Sequence, residues 1–245
     1  MASYLIDYCQ QVDPVLLKVV KDGKRASPGE MRKQEAVTAR VEKTVLLWLA
    51  ERTPRWINSD HLTVLGFAAQ LLAGAGYALA SCNPAALLVV IAALALNWLG
   101  DSLDGTLARY RQQQRPRYGF YVDHMVDSVG ALALMGGLAV SSFMHPYVAI
   151  GLLVGFLLLS IQSYLATYTL GEFRLSFWRF GPTELRILLA IGNIALFFRP
   201  IVHIFGKAYR LFDVGGLIGL IGMGLMLIVW TIQNTCKLYQ QERIR

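Results

Sequence analysis

The sequence predicts an all-α integral membrane protein with six transmembrane helices behind an N-terminal amphipathic cytoplasmic segment, and three observations carry that prediction. Of its 245 residues 55% are hydrophobic and only 16% charged, with a mean hydropathy of +0.46, the balance of a membrane domain rather than a soluble one. Charge is also excluded from long stretches: 61–100, 128–171, 187–198 and 214–236 contain no Asp, Glu, Lys or Arg. At roughly 20 residues per span, the first two have the length for two spans each and the others anchor one each. Finally, the basic residues are one-sided. Of the 23 Lys and Arg, all but Arg199, Lys207 and Arg210 fall before span one, between spans two and three, between span four and the first turn of span five, or after span six. The positive-inside rule therefore places both termini in the cytoplasm. It also accounts for the formal charge of +7 without a nucleic-acid partner.

Residues 1–58 form the cytoplasmic or interfacial segment, and 59–245 the six-span domain. The first segment is rich in basic residues and is broken by Pro14, Gly23 and Pro28. Within it Val37, Val41, Val45, Trp48 and Leu49 share one helical stripe. Such a helix suits either an anionic membrane surface or the cytoplasmic face of the protein itself. Span one is expected over 61–80, capped by Asn58, Ser59 or Asp60. After a turn at Asn83 and Pro84, span two starts near residue 85. Its apolar run ends at Gly100, but no breaker follows before Pro116, so the helix should continue past the membrane edge to Arg111. Span three follows over 118–143, span four over 147–170, span five over 183–198 and span six over 214–235. In span six Gly215, Gly219 and Gly222 would permit close helix contact. Cys9, Cys82 and Cys236 lie too far apart for a C-x-x-C pair and are too few for an even disulfide framework, so packing roles are expected.

Four aspartates at the edge of spans two and three stand out, because an acid at a membrane border is costly unless paired, hydrated or bound to a cation. On the span-two helix Asp101, Asp104, Gly105 and Ala108 share one face; on the span-three helix Gly119, Asp123 and Asp127 recur every four residues. If the two helices pack as neighbours, the four carboxylates converge beside a recess floored by small residues. Carboxylates without His or Cys partners suit Mg²⁺, Mn²⁺ or Ca²⁺ rather than zinc. Four of them have the capacity for two ions, a known clamp in phosphate chemistry. Arg109, about one turn beyond Asp104, is placed to face phosphate oxygens.

These residues resemble the signature of the CDP-alcohol phosphotransferase family: D-x-x-D-G-x-x-A-R, eight or nine residues, then G-x-x-x-D-x-x-x-D. Asp101, Asp104, Gly105, Ala108, Arg109, Gly119, Asp123 and Asp127 match every fixed position, with nine residues between Arg109 and Gly119. The resemblance implies a membrane enzyme of phospholipid synthesis that moves a phospho-group from a CDP-linked donor to a lipid or polar alcohol and releases CMP. It implies two Mg²⁺ or Mn²⁺ ions held by Asp101, Asp104 and Asp123. Asp127 would be a further metal ligand or the general base, with Gly105, Ala108, Arg109 and Gly119 along the nucleotide. The positive-inside rule puts this aspartate stretch, like the termini, on the cytoplasmic side, and the resemblance implies homodimers.

The string VDHMVDS, the WINSDHLT ahead of span one, and Thr183 with Glu184 resemble the choline and ethanolamine branch. That branch would use CDP-choline or CDP-ethanolamine with diacylglycerol. His124, three residues before Asp127, is then either a partner in the base role or a packing residue; Glu184 either meets an amino alcohol's cation or caps span five. Ser59 and Asp60 depart from the family's usual Pro-Asn. CDP-choline or CDP-ethanolamine with diacylglycerol is therefore the leading expectation, and the short chain leaves room, as the alternative, for a CDP-diacylglycerol donor and a polar alcohol such as inositol phosphate, glycerol phosphate or serine. From a different class, an ion-coupled transporter would also place acids at a membrane.

Overall fold

The computed structural model describes residues 39–171 and 182–243. The expectations for residues 1–38 and for the basic, aromatic connection at 172–181 lie outside the described residues. Helix α1 (Ala39–Arg52) precedes α2 (Ser59–Ala80), α3 (Ala86–Tyr110), α4 (Pro116–Val140), α5 (Pro146–Leu170) and α6 (Pro182–Phe198). A hairpin of β1 (Ile201–Ile204) and β2 (Lys207–Arg210) leads to α7 (Leu211–Gln241).

Punctuation in the sequence explains these boundaries. Asn58 is the N-cap of α2, and its backbone N–H donates to Nδ1 of His61 at 3.1 Å. Proline stands at the start of α4 and of α5, where its missing N–H would have no helical partner. Gly171 closes α5 in the left-handed conformation, φ 68°. With no breaker after Gly100, α3 runs through Tyr110, carrying Asp101 and Asp104 on regular helix.

Among the described residues, α2, α3, α5 and α7 are long and apolar enough to cross a membrane. The sequence-based count of six also included α4 and α6. In α4 the first half carries Arg117, Asp123 and Asp127, which dilute its hydropathy. Helix α6 has 17 residues, about 26 Å at 1.5 Å per residue, against the roughly 30 Å of a hydrocarbon core.

Helix α2 is the centre of the packing. It lies against both α3 and α4, whereas α3 and α4 do not form a packed pair with each other. Small residues permit these approaches. A Cβ added at Gly100 would sit 2.5 Å from the Gly66 nitrogen, and one added at Gly74 or Gly137 would strike the facing backbone of α4 or α2. The main core gathers Tyr77, Leu87, Val90 and Leu138, and the buried Asn193 of α6 donates through Nδ2 to the Tyr77 hydroxyl at 2.8 Å. Helices α5 and α7 pair with each other, leaving rows such as Leu217, Ile218, Ile221, Leu225 and Ile228 exposed, as lipid-facing surface would be.

Helix α1 packs on the protein itself. Leu46 and Ala50 are buried with Leu62, Leu103 and Leu107, while Val41, Val45 and Trp48 from the expected stripe remain exposed. In α7 the close contact falls on Gly216, which faces Val148 and Leu152, with Gly219 beside it; Gly215 and Gly222 meet nothing within 4 Å. Cys82 is free and exposed, so it does not pack, whereas Cys236 is buried.

Candidate active site

The site forms where α2, α3 and α4 meet. Its recess is lined by Thr63, Gly66 and Phe67 of α2, by Asn97, Asp101 and Asp104 of α3, and by Asp123, Val126 and Asp127 of α4. The two acidic faces therefore confront each other as the spacing requires, but across a gap whose floor is α2. Gly66 is what allows α3 to approach this floor, because a Cβ there would already press on the backbone of Gly100 and Asp101 at 3.2–3.5 Å.

Three of the four aspartates converge. Asp101, Asp123 and Asp127 each present a carboxylate oxygen within 4.8 Å of the others. Three anions at that range repel strongly in a partly buried site, so the arrangement asks for a cation, and an all-oxygen donor set fits a hard divalent ion. Asp104 lines the same recess but is engaged elsewhere. Its Oδ2 accepts from the Thr63 hydroxyl at 2.6 Å, and its Oδ1 accepts from the Gly105 backbone N–H. Thr63 thus orients Asp104 from the neighbouring helix.

A guanidinium sits against the cluster. Arg186 of α6 donates through Nη2 to Asp101 Oδ2 at 2.7 Å and through Nε to Asn97 Oδ1 at 2.8 Å. Asn97 in turn donates to the Gly66 carbonyl at 3.0 Å. The chain Arg186, Asn97, Gly66 ties three helices together beside Asp101. Asn97 precedes Asp101 by one helical turn, so its place on the acidic face was readable as an isolated amide in an apolar run. The contribution of Arg186 was not, since nothing local says that α6 leans on α3.

The remaining sequence-predicted residues fall around this centre. Arg109 folds back along α3, donating to the Thr106 hydroxyl at 3.1 Å with its guanidinium over Gly105, where an added Cβ would lie 3.3 Å from Nη1. Ala108 is half-buried on the same helix, and Gly119 opens α4 with nothing within 4 Å of where a Cβ would be. His124 is not part of the recess lining. Its ring stacks on Phe120 at 4.2 Å and meets Tyr164 of α5 edge-on at 4.8 Å, and its Nδ1 lies 2.6 Å from the Phe120 carbonyl oxygen. Glu184 is half-buried in the first turn of α6, two residues from Arg186. In the first turn of α2, Asp60 pairs with Arg115, whose guanidinium also lies 4.2 Å from the Tyr118 ring centroid.

Apolar membrane-length helices and a carboxylate cluster shared between one of them, α3, and its neighbour α4 define a membrane protein with a centre suited to phosphate chemistry. The chain belongs to the CDP-alcohol phosphatidyltransferase family, whose model matches residues 56–232. Among solved structures it is similar to a Mycobacterium tuberculosis phosphatidylinositol phosphate synthase with CDP-DAG bound. The TM-score is 0.53 at 18% identity, over 84% of this chain and 99% of that one. No curated protein matches it. Membership of this family makes the chain a membrane transferase of phosphate-containing groups in phospholipid synthesis, which sets aside the transporter reading.

Proposed function

We propose that the chain transfers a phosphatidyl group from CDP-diacylglycerol to a polar alcohol bearing a phosphate or another anionic group, releasing CMP. The observation that carries this choice is Arg186, a guanidinium held against Asp101 at 2.7 Å inside the helix assembly. With Nε bonded to Asn97 and one Nη2 hydrogen to Asp101, the remaining N–H donors of the guanidinium match a phosphate or carboxylate on the acceptor, a group that neutral diacylglycerol lacks. The nucleotide of the donor runs along Gly105, Ala108, Arg109 and Gly119.

Asp101, Asp123 and Asp127 would hold Mg²⁺ or Mn²⁺, with Asp104 completing a second position. Bound there, the ions supply charge neutralisation to the diphosphate. Asp127 takes the proton from the acceptor hydroxyl. The alcohol oxygen forms its bond to the phosphorus bearing the lipid, and the bond from that phosphorus to the bridging oxygen breaks, so CMP leaves with the electron pair. Arg186 holds the acceptor's anionic group so that its hydroxyl lines up with that phosphorus. The six-helix arrangement, with both termini and this site on the cytoplasmic side, follows from the charge distribution and is part of the proposal, as is a homodimer.

A second reading, CDP-choline or CDP-ethanolamine with diacylglycerol, is favoured by the sequence VDHMVDS and by the half-buried Glu184, a carboxylate for an amino alcohol's cation. A substrate panel separates the two. CDP-diacylglycerol, CDP-choline and CDP-ethanolamine are each offered to purified protein with inositol phosphate, glycerol phosphate, serine or diacylglycerol, and CMP is measured. The proposal expects CMP from CDP-diacylglycerol with a phosphate-bearing alcohol; turnover confined to CDP-choline or CDP-ethanolamine refutes it.

A further inference from the structure

We infer that Glu42 is a positioning residue that sets the separation of α3 and α6, and through it the placement of Asp101 and Arg186. One oxygen of Glu42 accepts three side-chain hydrogen bonds: from Trp98 Nε1 at 3.0 Å, from Ser102 Oγ at 3.2 Å and from Thr183 Oγ1 at 2.9 Å. Two of these donors belong to α3 and one to α6. Ser102 is the residue after Asp101, and Thr183 lies three residues before Arg186, so the bonds grip both helices beside the pair that joins them at the site. The gripping helix is itself anchored, because Leu46 and Ala50 of α1 are buried against Leu62, Leu103 and Leu107. A hydrogen bond to a charged group contributes more than a neutral one, and a partly buried donor left without its acceptor costs further. Loss of the carboxylate thus releases α6 from α3 at the level where a displacement of about 1 Å is enough to slow a positioned reaction. The helix ahead of the membrane domain is in this way part of the site's framework, although it contributes nothing to the recess lining.

The inference rests on the proposed reaction only for its kinetic consequence, so two measurements are paired. In the first, spin labels at Tyr110→Cys and Leu188→Cys, in a background carrying Cys9→Ser, Cys82→Ser and Cys236→Ser, report the α3 to α6 distance in lipid nanodiscs. A narrow distribution is expected with Glu42 in place, a broadened or shifted one in Glu42→Ala and Thr183→Val, and partial return in Glu42→Gln, whose carbonyl still accepts. A distribution unchanged by Glu42→Ala overturns the inference whatever the protein's substrate. If Glu42→Ala does not fold, Thr183→Val and Glu42→Gln carry the same comparison. In the second, CMP release is resolved into kcat and KM. The expected result is a fall of roughly tenfold in kcat for Glu42→Ala and for Thr183→Val, with the donor KM held within about twofold and Glu42→Gln lying between. An equal kcat in all variants overturns the inference. Absence of CMP from the wild type instead overturns the proposed function and leaves the distance measurement standing.

Discussion

Replacing Gly100 by alanine tests the α2–α3 approach on which the site is built. The added Cβ would lie 2.5 Å from the Gly66 nitrogen, 2.6 Å from the Leu62 carbonyl oxygen and 2.7 Å from the Gly66 Cα. Ordinary carbon contacts are roughly 3.5–4.0 Å, and all three obstacles are backbone, so relief requires one helix to back away by about 1 Å. Overpacking of this kind costs about 1–3 kcal/mol. For a chain of this size each kcal/mol corresponds to about 2–4 °C, which sets an expected fall in Tm of roughly 2–12 °C. The same movement strains the 3.0 Å bond from Asn97 to the Gly66 carbonyl and displaces Asp101, the next residue along. Activity should therefore drop further than stability, on the order of 100-fold for a 1 Å misplacement. Thermal unfolding of the detergent-solubilised protein and CMP release read the two effects. Gly136→Ala is the control, since its Cβ would meet nothing within 4 Å and its Tm should match the wild type. A Gly100→Ala protein with wild-type Tm and wild-type turnover would refute the reasoning.

Three further substitutions address the site directly. Asp127→Asn keeps the shape of the side chain but not its basicity, and CMP release should fall by about 10²–10⁴-fold with the circular dichroism spectrum unchanged. Gly119→Val projects into open space at the head of α4; Tm should hold within about a degree, while the donor KM rises roughly tenfold if the nucleotide lies there. Thr63→Val removes the 2.6 Å donor from Asp104 and should lower kcat about tenfold through the loosened carboxylate, with Thr63→Ser restoring most of it. Unchanged kinetics in Thr63→Val would mean that Asp104 needs no orienting partner.

Much of this architecture is legible in the sequence because its determinants are local. The charge-free runs and the prolines at 116, 146 and 182 place the helix boundaries to within a few residues, and regular spacing alone puts Asp101 with Asp104, and Asp123 with Asp127, on shared faces. What is hidden is which helix lies between which. The order along the chain makes α3 and α4 neighbours, yet it is α2 that packs on both, through glycines whose meaning depends on a facing backbone that no local pattern reveals. The same holds for Arg186 and Glu42, which reach the site from distant parts of the chain. Hairpin β1–β2 is also unannounced: its turn uses Phe205 and Gly206 at φ 50° and 77°, and Phe-Gly lacks the Asn-Gly or Asp-Gly signature of such turns. The stripe of α1 misleads for a different reason. Periodicity identifies an apolar face, but Leu46 and Ala50, one step around the helix, are what the domain buries.

The central claim is that Asp101, Asp123 and Asp127 hold the divalent ions on which CMP formation from a CDP-linked donor depends. The direct measurement is CMP release in lipid nanodiscs after removal of divalent ions with EDTA, then during titration with Mg²⁺ or Mn²⁺. It is run on the wild type and on Asp101→Asn, Asp123→Asn and Asp127→Asn. The account predicts no turnover with EDTA, full recovery on adding metal back to the wild type, and little or none in the three variants at any metal concentration. Turnover that survives EDTA, or that each variant retains at the wild-type rate, would contradict it.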